Sequence, residues 1–125
     1  MAAVRESVIA EAVRKDVQAM HRSIRIWRQN AGKVTSETGH RVFLGPPGIA
    51  DLCGLAPVRV IGTDVFFTTI FYIETKAQKG KQRDSQKNWQ AMCEKMRLPY
   101  VLARSGPQAV QGLQGEFKRY GLELV

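Results

Sequence analysis

Val65-Phe66-Phe67-Thr68-Thr69-Ile70-Phe71-Tyr72-Ile73-Glu74-Thr75-Lys76 is the stretch on which the fold turns. From Val65 to Ile73 it is apolar on both alternating faces, with Phe67, Phe71 and Ile73 on one and Phe66, Ile70 and Tyr72 on the other. A strand of that kind is expected at the centre of a sheet, covered on both sides. Side chains two apart in a strand share a face, so Glu74 and Lys76 should emerge together at its end, with Thr75 turned away. A carboxylate and an ammonium at the end of a buried strand are costly to desolvate unless they gain further partners. A divalent cation and a phosphate would supply them. Glu-x-Lys is a common triplet, however, and needs a second acid to carry weight.

Reading toward the N-terminus, Gly62-Thr63-Asp64 forms a turn back to a strand at Val58 to Ile61, with Asp64 as the expected capping residue. Ile49 to Leu55 is apolar apart from Asp51, and it follows Gly45-Pro46-Pro47-Gly48, whose residues impose fixed and unusual backbone angles and hence a rigid bend. An acid there has no structural need beyond turn capping. Arg41 to Leu44 and Ile24 to Arg28 read as short strands, the latter closed by a turn at Gln29-Asn30-Ala31-Gly32. Glu6 to Met20 carries Ile9, Ala10, Val13, Val17 and Met20 at the spacing of an amphipathic helix. Glu6 lies on that inward stripe, whereas Glu11 projects to the opposite face, four residues before Lys15, as expected of a solvated ion pair.

Toward the C-terminus, Gln82 to Met96 places Trp89, Met92, Cys93 and Met96 at helical spacing. Tyr100 to Ala103 is a last core strand, and Gln108 to Tyr120 is a closing helix weakened by Gly112 and Gly115. Trp89 is expected in the core rather than as a base-stacking platform. The order of helix, strands, helix and strand predicts an α/β fold with a mixed sheet, in one domain spanning 1–125.

The chain is 125 residues long, 44% hydrophobic, and has no run near the roughly 18 apolar residues of a membrane span, so a soluble protein is expected. Its opening residues lack the apolar block of a secretory signal, which points to an intracellular, cytoplasmic location. Cys53 and Cys93 stand apart, as do His21 and His40, so free buried thiols are expected and zinc is not. The net charge of +8 points to a polyanionic partner, but charge alone does not choose among nucleic acid, an anionic membrane and mere solubility. Much of it lies between Lys76 and Arg104, where eight basic residues face only Asp84 and Glu94.

Two carboxylates from separate segments, Asp51 and Glu74, can converge on one Mg²⁺, a hard ion that takes oxygen ligands. Such an ion polarises a phosphate and acidifies water, and Lys76 would orient the nucleophile or offset charge on the phosphate. That arrangement suits phosphodiester hydrolysis.

Gly45-Pro46-Pro47-Gly48-Ile49-Ala50-Asp51-Leu52, Tyr72-Ile73-Glu74-Thr75-Lys76, Gln86-Lys87-Asn88-Trp89 and Tyr100-Val101-Leu102-Ala103-Arg104-Ser105, in that order, resemble the motifs of VRR-NUC domains of the PD-(D/E)XK nuclease superfamily. The resemblance runs from Glu6 to Ser105. It implies a restriction-endonuclease-like αβββαβ core and metal-dependent DNA cleavage with Mg²⁺, or Mn²⁺ as a substitute. Asp51 and Glu74 then match the metal ligands, with the Thr75 backbone carbonyl beside them. Lys76 matches the catalytic lysine, Gln86 the glutamine of the helix beside the site, and Glu6 the first-helix acid, with Glu11 as the alternative. Ala50 stands where the superfamily's name places a proline. Stand-alone members of this kind are phage or prophage proteins, which implies a homodimer acting on branched DNA such as four-way (Holliday) junctions, in repair or recombination. Lys79, Lys81, Arg83 and Lys87 are the expected phosphate contacts, and Arg28 and Asn30 are further candidates. The rival readings are a non-catalytic DNA-binding module on the same fold and a sequence-preferring restriction-type nuclease.

Overall fold

A computed structural model of the chain describes residues 4–29, 32–35 and 37–125. The strand that opened the sequence reading is β5 (Phe66–Thr75), and it does lie inside a sheet, between β4 (Leu52–Val60) and β6 (Tyr100–Ala103). β1 (Arg25–Arg28) and β7 (Leu122–Leu124) both pair with β4 on its other side, β1 near its start and β7 near its end. β5 and β6 run parallel and the other pairs antiparallel, so the five-stranded sheet is mixed. β2 (Gly32–Thr35) and β3 (Arg41–Leu44) form a separate antiparallel pair. Among the described residues three helices flank the sheet: α1 (Glu6–Gln18), α2 (Asp84–Lys95) and α3 (Gly106–Arg119).

The two-residue alternation of each strand sorts the core into two layers. Leu52, Ala56 and Val58 of β4, Phe71 and Ile73 of β5, and Val101 and Ala103 of β6 pack with Ile9, Ala10, Val13 and Val17 of α1 and Ala109, Leu113 and Phe117 of α3. The intervening residues Cys53, Tyr72 and Tyr100 face α2, where Cys93, Trp89 and Met92 meet them. Glu74 keeps step with Tyr72 and therefore belongs to the α2 layer. Trp89 lies edge-on to Tyr72, with ring centroids 5.4 Å apart, and packs half-buried against the core. Cys53 and Cys93 are free and buried.

Four readings of the sequence need correction. β4 begins at Leu52, six residues before the strand expected at Val58, because Pro57 does not interrupt it. The Pro57 carbonyl accepts from the Val125 N–H at 3.2 Å, so the face where its own N–H is missing looks onto the gap between β1 and β7. The ladder to β5 loses nothing. β6 is followed by β7, so it is not the last strand. Covering of β5 on both sides holds only for its second half, since Phe66 and Phe67 are 56% and 44% exposed. At the β4–β5 turn the cap is Thr63 rather than Asp64: its hydroxyl donates to the Val60 carbonyl (2.8 Å) and accepts from the Val65 N–H (3.1 Å).

α3 starts two residues earlier than expected, where the Ser105 hydroxyl accepts from the Gln108 N–H at 3.2 Å and Pro107 sits in the first turn. Gly112, which weakened that helix on propensity, has a packing reason: a Cβ there would lie 2.6 Å from Val101 Cγ1. Its absence lets α3 settle directly on β6. No helix among the described residues is long and apolar enough to cross a membrane.

Candidate functional site

Glu74 is fully buried at the end of β5, on the α2 side of the sheet. In the first turn of α2, Gln86 is locked by two hydrogen bonds: its Oε1 accepts from the Arg83 N–H (2.8 Å) and its Nε2 donates to Glu74 Oε1 (2.9 Å). The same Glu74 oxygen lies 4.0 Å from Lys76 Nζ. Lys76 is itself held at the sheet by its N–H, which donates to the Ala103 carbonyl at 3.1 Å. Glu74 Oε2 is buried with no hydrogen-bond partner. A buried acceptor in that state signals a missing proton, water or ion.

Asp51 arrives from the other side. Pro46, Pro47, Gly48 and Ile49 form a type II turn, closed by the Ile49 N–H on the Pro46 carbonyl (3.3 Å) with Gly48 at φ +77°. Gly48 also lies against α2, where a Cβ would stand 2.0 Å from the Ser85 carbonyl oxygen. The pairing of Leu52 with Ile73 then sets Asp51 opposite Glu74. Asp51 Oδ2 accepts from both the N–H and the hydroxyl of Thr75, each at 2.9 Å. Thr75 alternates away from Glu74, as read from the sequence, but its hydroxyl reaches Asp51 instead of standing idle. Because the N–H and C=O of a strand residue project to one side, the Thr75 carbonyl is directed toward the β4 edge as well.

Glu6, the exposed first residue of α1, supplies a third acid. One carboxylate oxygen from each of Glu6, Asp51 and Glu74 lies within 4.8 Å of the others. A hard dication with bonds of about 2.1–2.5 Å holds its oxygen ligands on the order of 3–5 Å apart, so this spacing suits one. Among the described residues, Glu11, the alternative first-helix acid, is not part of this cluster. Its carboxylate pairs with Arg14, not with Lys15 as expected, at 2.7 and 3.0 Å on the exposed side of α1.

The three acids crowd one another electrostatically. Burial, then the adjoining Asp51 carboxylate and to a lesser degree Glu6, push the Glu74 carboxyl up to about 9, with Lys76 pulling the other way. Near neutral pH Glu74 therefore holds a proton that a cation would displace.

Around this cluster, Lys79 and Lys81 lie exposed on the loop after β5, Arg83 at the start of α2 and Lys87 in its first turns. None of the four forms an ion pair among the described residues, which leaves their charge facing solvent. Arg28 is exposed at the end of β1, and Asn30 lies outside the described residues. Two contributors went unread in the sequence: the Thr75 hydroxyl and Arg104. The Arg104 guanidinium donates to the carbonyls of Ala77 (2.5 Å) and Gln78 (3.4 Å), tethering the loop that follows Lys76. The periodicity of a strand gives no sign of either. No family model matches the chain, and neither does any curated protein or solved structure.

Proposed function

We propose that the chain is a divalent-metal-dependent endonuclease of the VRR-NUC kind, within the PD-(D/E)XK superfamily, hydrolysing DNA phosphodiesters. The observation that carries this reading is the convergence of Glu6, Asp51 and Glu74 within 4.8 Å, with one Glu74 oxygen buried without a partner and the Lys76 amine alongside. The element order adds support: with the β2–β3 pair and α3–β7 set aside, what remains reads αβββαβ.

Asp51, Glu74 and the Thr75 carbonyl would hold Mg²⁺ or Mn²⁺, with Glu6 bonding through water or directly. Such an ion supplies Lewis-acid polarisation of the phosphate and acidifies water. Lys76 presents an ammonium to a non-bridging phosphate oxygen, where it offsets charge that grows during displacement. Gln86 orients Glu74 so that Oε2 points into the cluster. Lys79, Lys81, Arg83 and Lys87 bind flanking phosphates and so seat the backbone over the acids. A homodimer with two such sites would cut both strands of a branched substrate such as a four-way junction, inside a bacterial or phage-infected cell.

Incubation of the purified chain with four-way junctions and with supercoiled plasmid, in Mg²⁺ and in EDTA, tests the proposal. Cutting is expected with Mg²⁺ only, and Asp51→Ala, Glu74→Ala and Lys76→Ala are each expected to lower it by on the order of 10³-fold while DNA binding persists. Binding without cutting in Mg²⁺ or Mn²⁺ would leave a non-catalytic DNA-binding module. A preference for one sequence over junction shape would mark a restriction-type enzyme.

A further inference from the structure

We infer that Thr75 is a positioning residue that sorts the oxygens of Asp51, reserving one of them for a divalent cation. The inference rests on the reading of the acids as a cation site. Both donors of Thr75, the N–H and the hydroxyl, converge on the same oxygen, Asp51 Oδ2, at 2.9 Å each. Among the described residues, no N–H or alcohol hydroxyl donates to Asp51 Oδ1, and the Glu74 carboxyl interacts directly with Asp51. Glu74 is divided in the same way: Oε1 receives Gln86 Nε2 and lies near Lys76, while Oε2 is buried with no partner. Each acid thus has one oxygen held by the chain and one left over.

The hydroxyl has a role here that the backbone cannot fill alone. A single N–H donor leaves a carboxylate free to swing about its χ2 torsion, which is broad for aspartate. A second donor from a different direction removes that freedom. Thr75 is 1% exposed, so water cannot stand in for its hydroxyl. Its branched Cβ stiffens χ1 and keeps the hydroxyl aimed. If burial were the only requirement at this position, valine would fill the same volume without a hydroxyl to satisfy. Outer partners that orient ligands in this way typically change metal affinity by about 10–100-fold when removed.

The experiment titrates Mn²⁺ into the full chain and its variants, following free Mn²⁺ by electron paramagnetic resonance, with melting temperature in EDTA recorded alongside. Thr75→Val is expected to bind Mn²⁺ at least about 10-fold more weakly than the parent, Thr75→Ser to recover most of the affinity, and Asp51→Asn to lose it. The inference is overturned if Thr75→Val binds as tightly as the parent while Asp51→Asn does not bind. If the parent itself takes up no Mn²⁺, the cation reading of the acids falls and this inference with it. Should Thr75→Val fail to fold, Thr75→Ala and Thr75→Ser decide. Weaker binding by the alanine variant supports the hydroxyl's role, and equal binding by the two overturns it.

Discussion

The two halves of β5 are alike in composition and opposite in circumstance. Phe66, Phe67 and Thr68 face solvent, whereas Phe71 to Thr75 are buried. The difference does not lie in the strand itself. β6 pairs only with Tyr72 to Thr75, and α2 covers the same end, so the first half lacks both a neighbour on that side and a roof. Apolar alternation makes a strand, but segments distant along the chain decide which part of it is dry. The candidate site sits where that covering is thickest, and this is why a carboxylate there is pushed far from its ordinary titration range.

Stability should separate the halves most sharply. Ile73→Ala removes a fully buried side chain from the layer shared with α1 and α3, and is expected to cost about 2–5 kcal/mol by urea denaturation. Phe67→Ala in the exposed half should stay within about 0.5–1 kcal/mol. Equal losses would mean the first half is covered in solution after all.

Acidity gives a second contrast. Glu74 is held at about 9 in the folded chain against an ordinary 4.5, so its protonated form is the one the fold prefers. The stability this contributes is fully present below pH 4.5 and is lost as pH rises through about 9. Melting temperatures in EDTA should therefore fall as pH is raised across that window, and Mg²⁺ should flatten the slope. Glu74→Gln, which cannot ionise, should show a weaker fall. A parent profile as flat as the variant's would count against the buried, crowded state of this acid.

The smallest effect concerns DNA. The tip joining β4 and β5, from Ile61 to Phe67, carries no Lys or Arg, whereas the loop beyond Thr75 carries Lys79 and Lys81. Lys79→Ala and Lys81→Ala should each weaken binding a few-fold and reduce the salt dependence by about one phosphate contact, read by fluorescence anisotropy across a salt series. Phe67→Ala should leave both unchanged.

Local pattern made much of this legible. The stripe Ile9, Ala10, Val13, Val17 announced α1, and Glu6 on that stripe was the acid that joins the cluster. Asp51, Glu74, Lys76 and Gln86 were readable from their motifs, and the fold brings all four together. What escaped depends on neighbours that a linear string does not show. Pro57 is harmless only because no strand faces it at that point. Gly112 is favourable only because Val101 lies beneath it. β7 is three residues long, too short for its alternation to register. The Thr75 hydroxyl went unread for a related reason: alternation says which face a side chain leaves by, not which neighbouring segment it meets there.

The close approach of Gly48 to α2 carries one more implication. With Ser85 and Gln86 lying against it, any side chain at this bend would lever the start of the helix outward and draw the Gln86 amide away from Glu74. If the proposed activity holds, a random-mutagenesis screen for inactive variants should thus recover Gly48 substitutions beside those of the acids, although the residue offers no functional group. The bend works as a spacer gauge, and its tolerance is narrower than one methyl group.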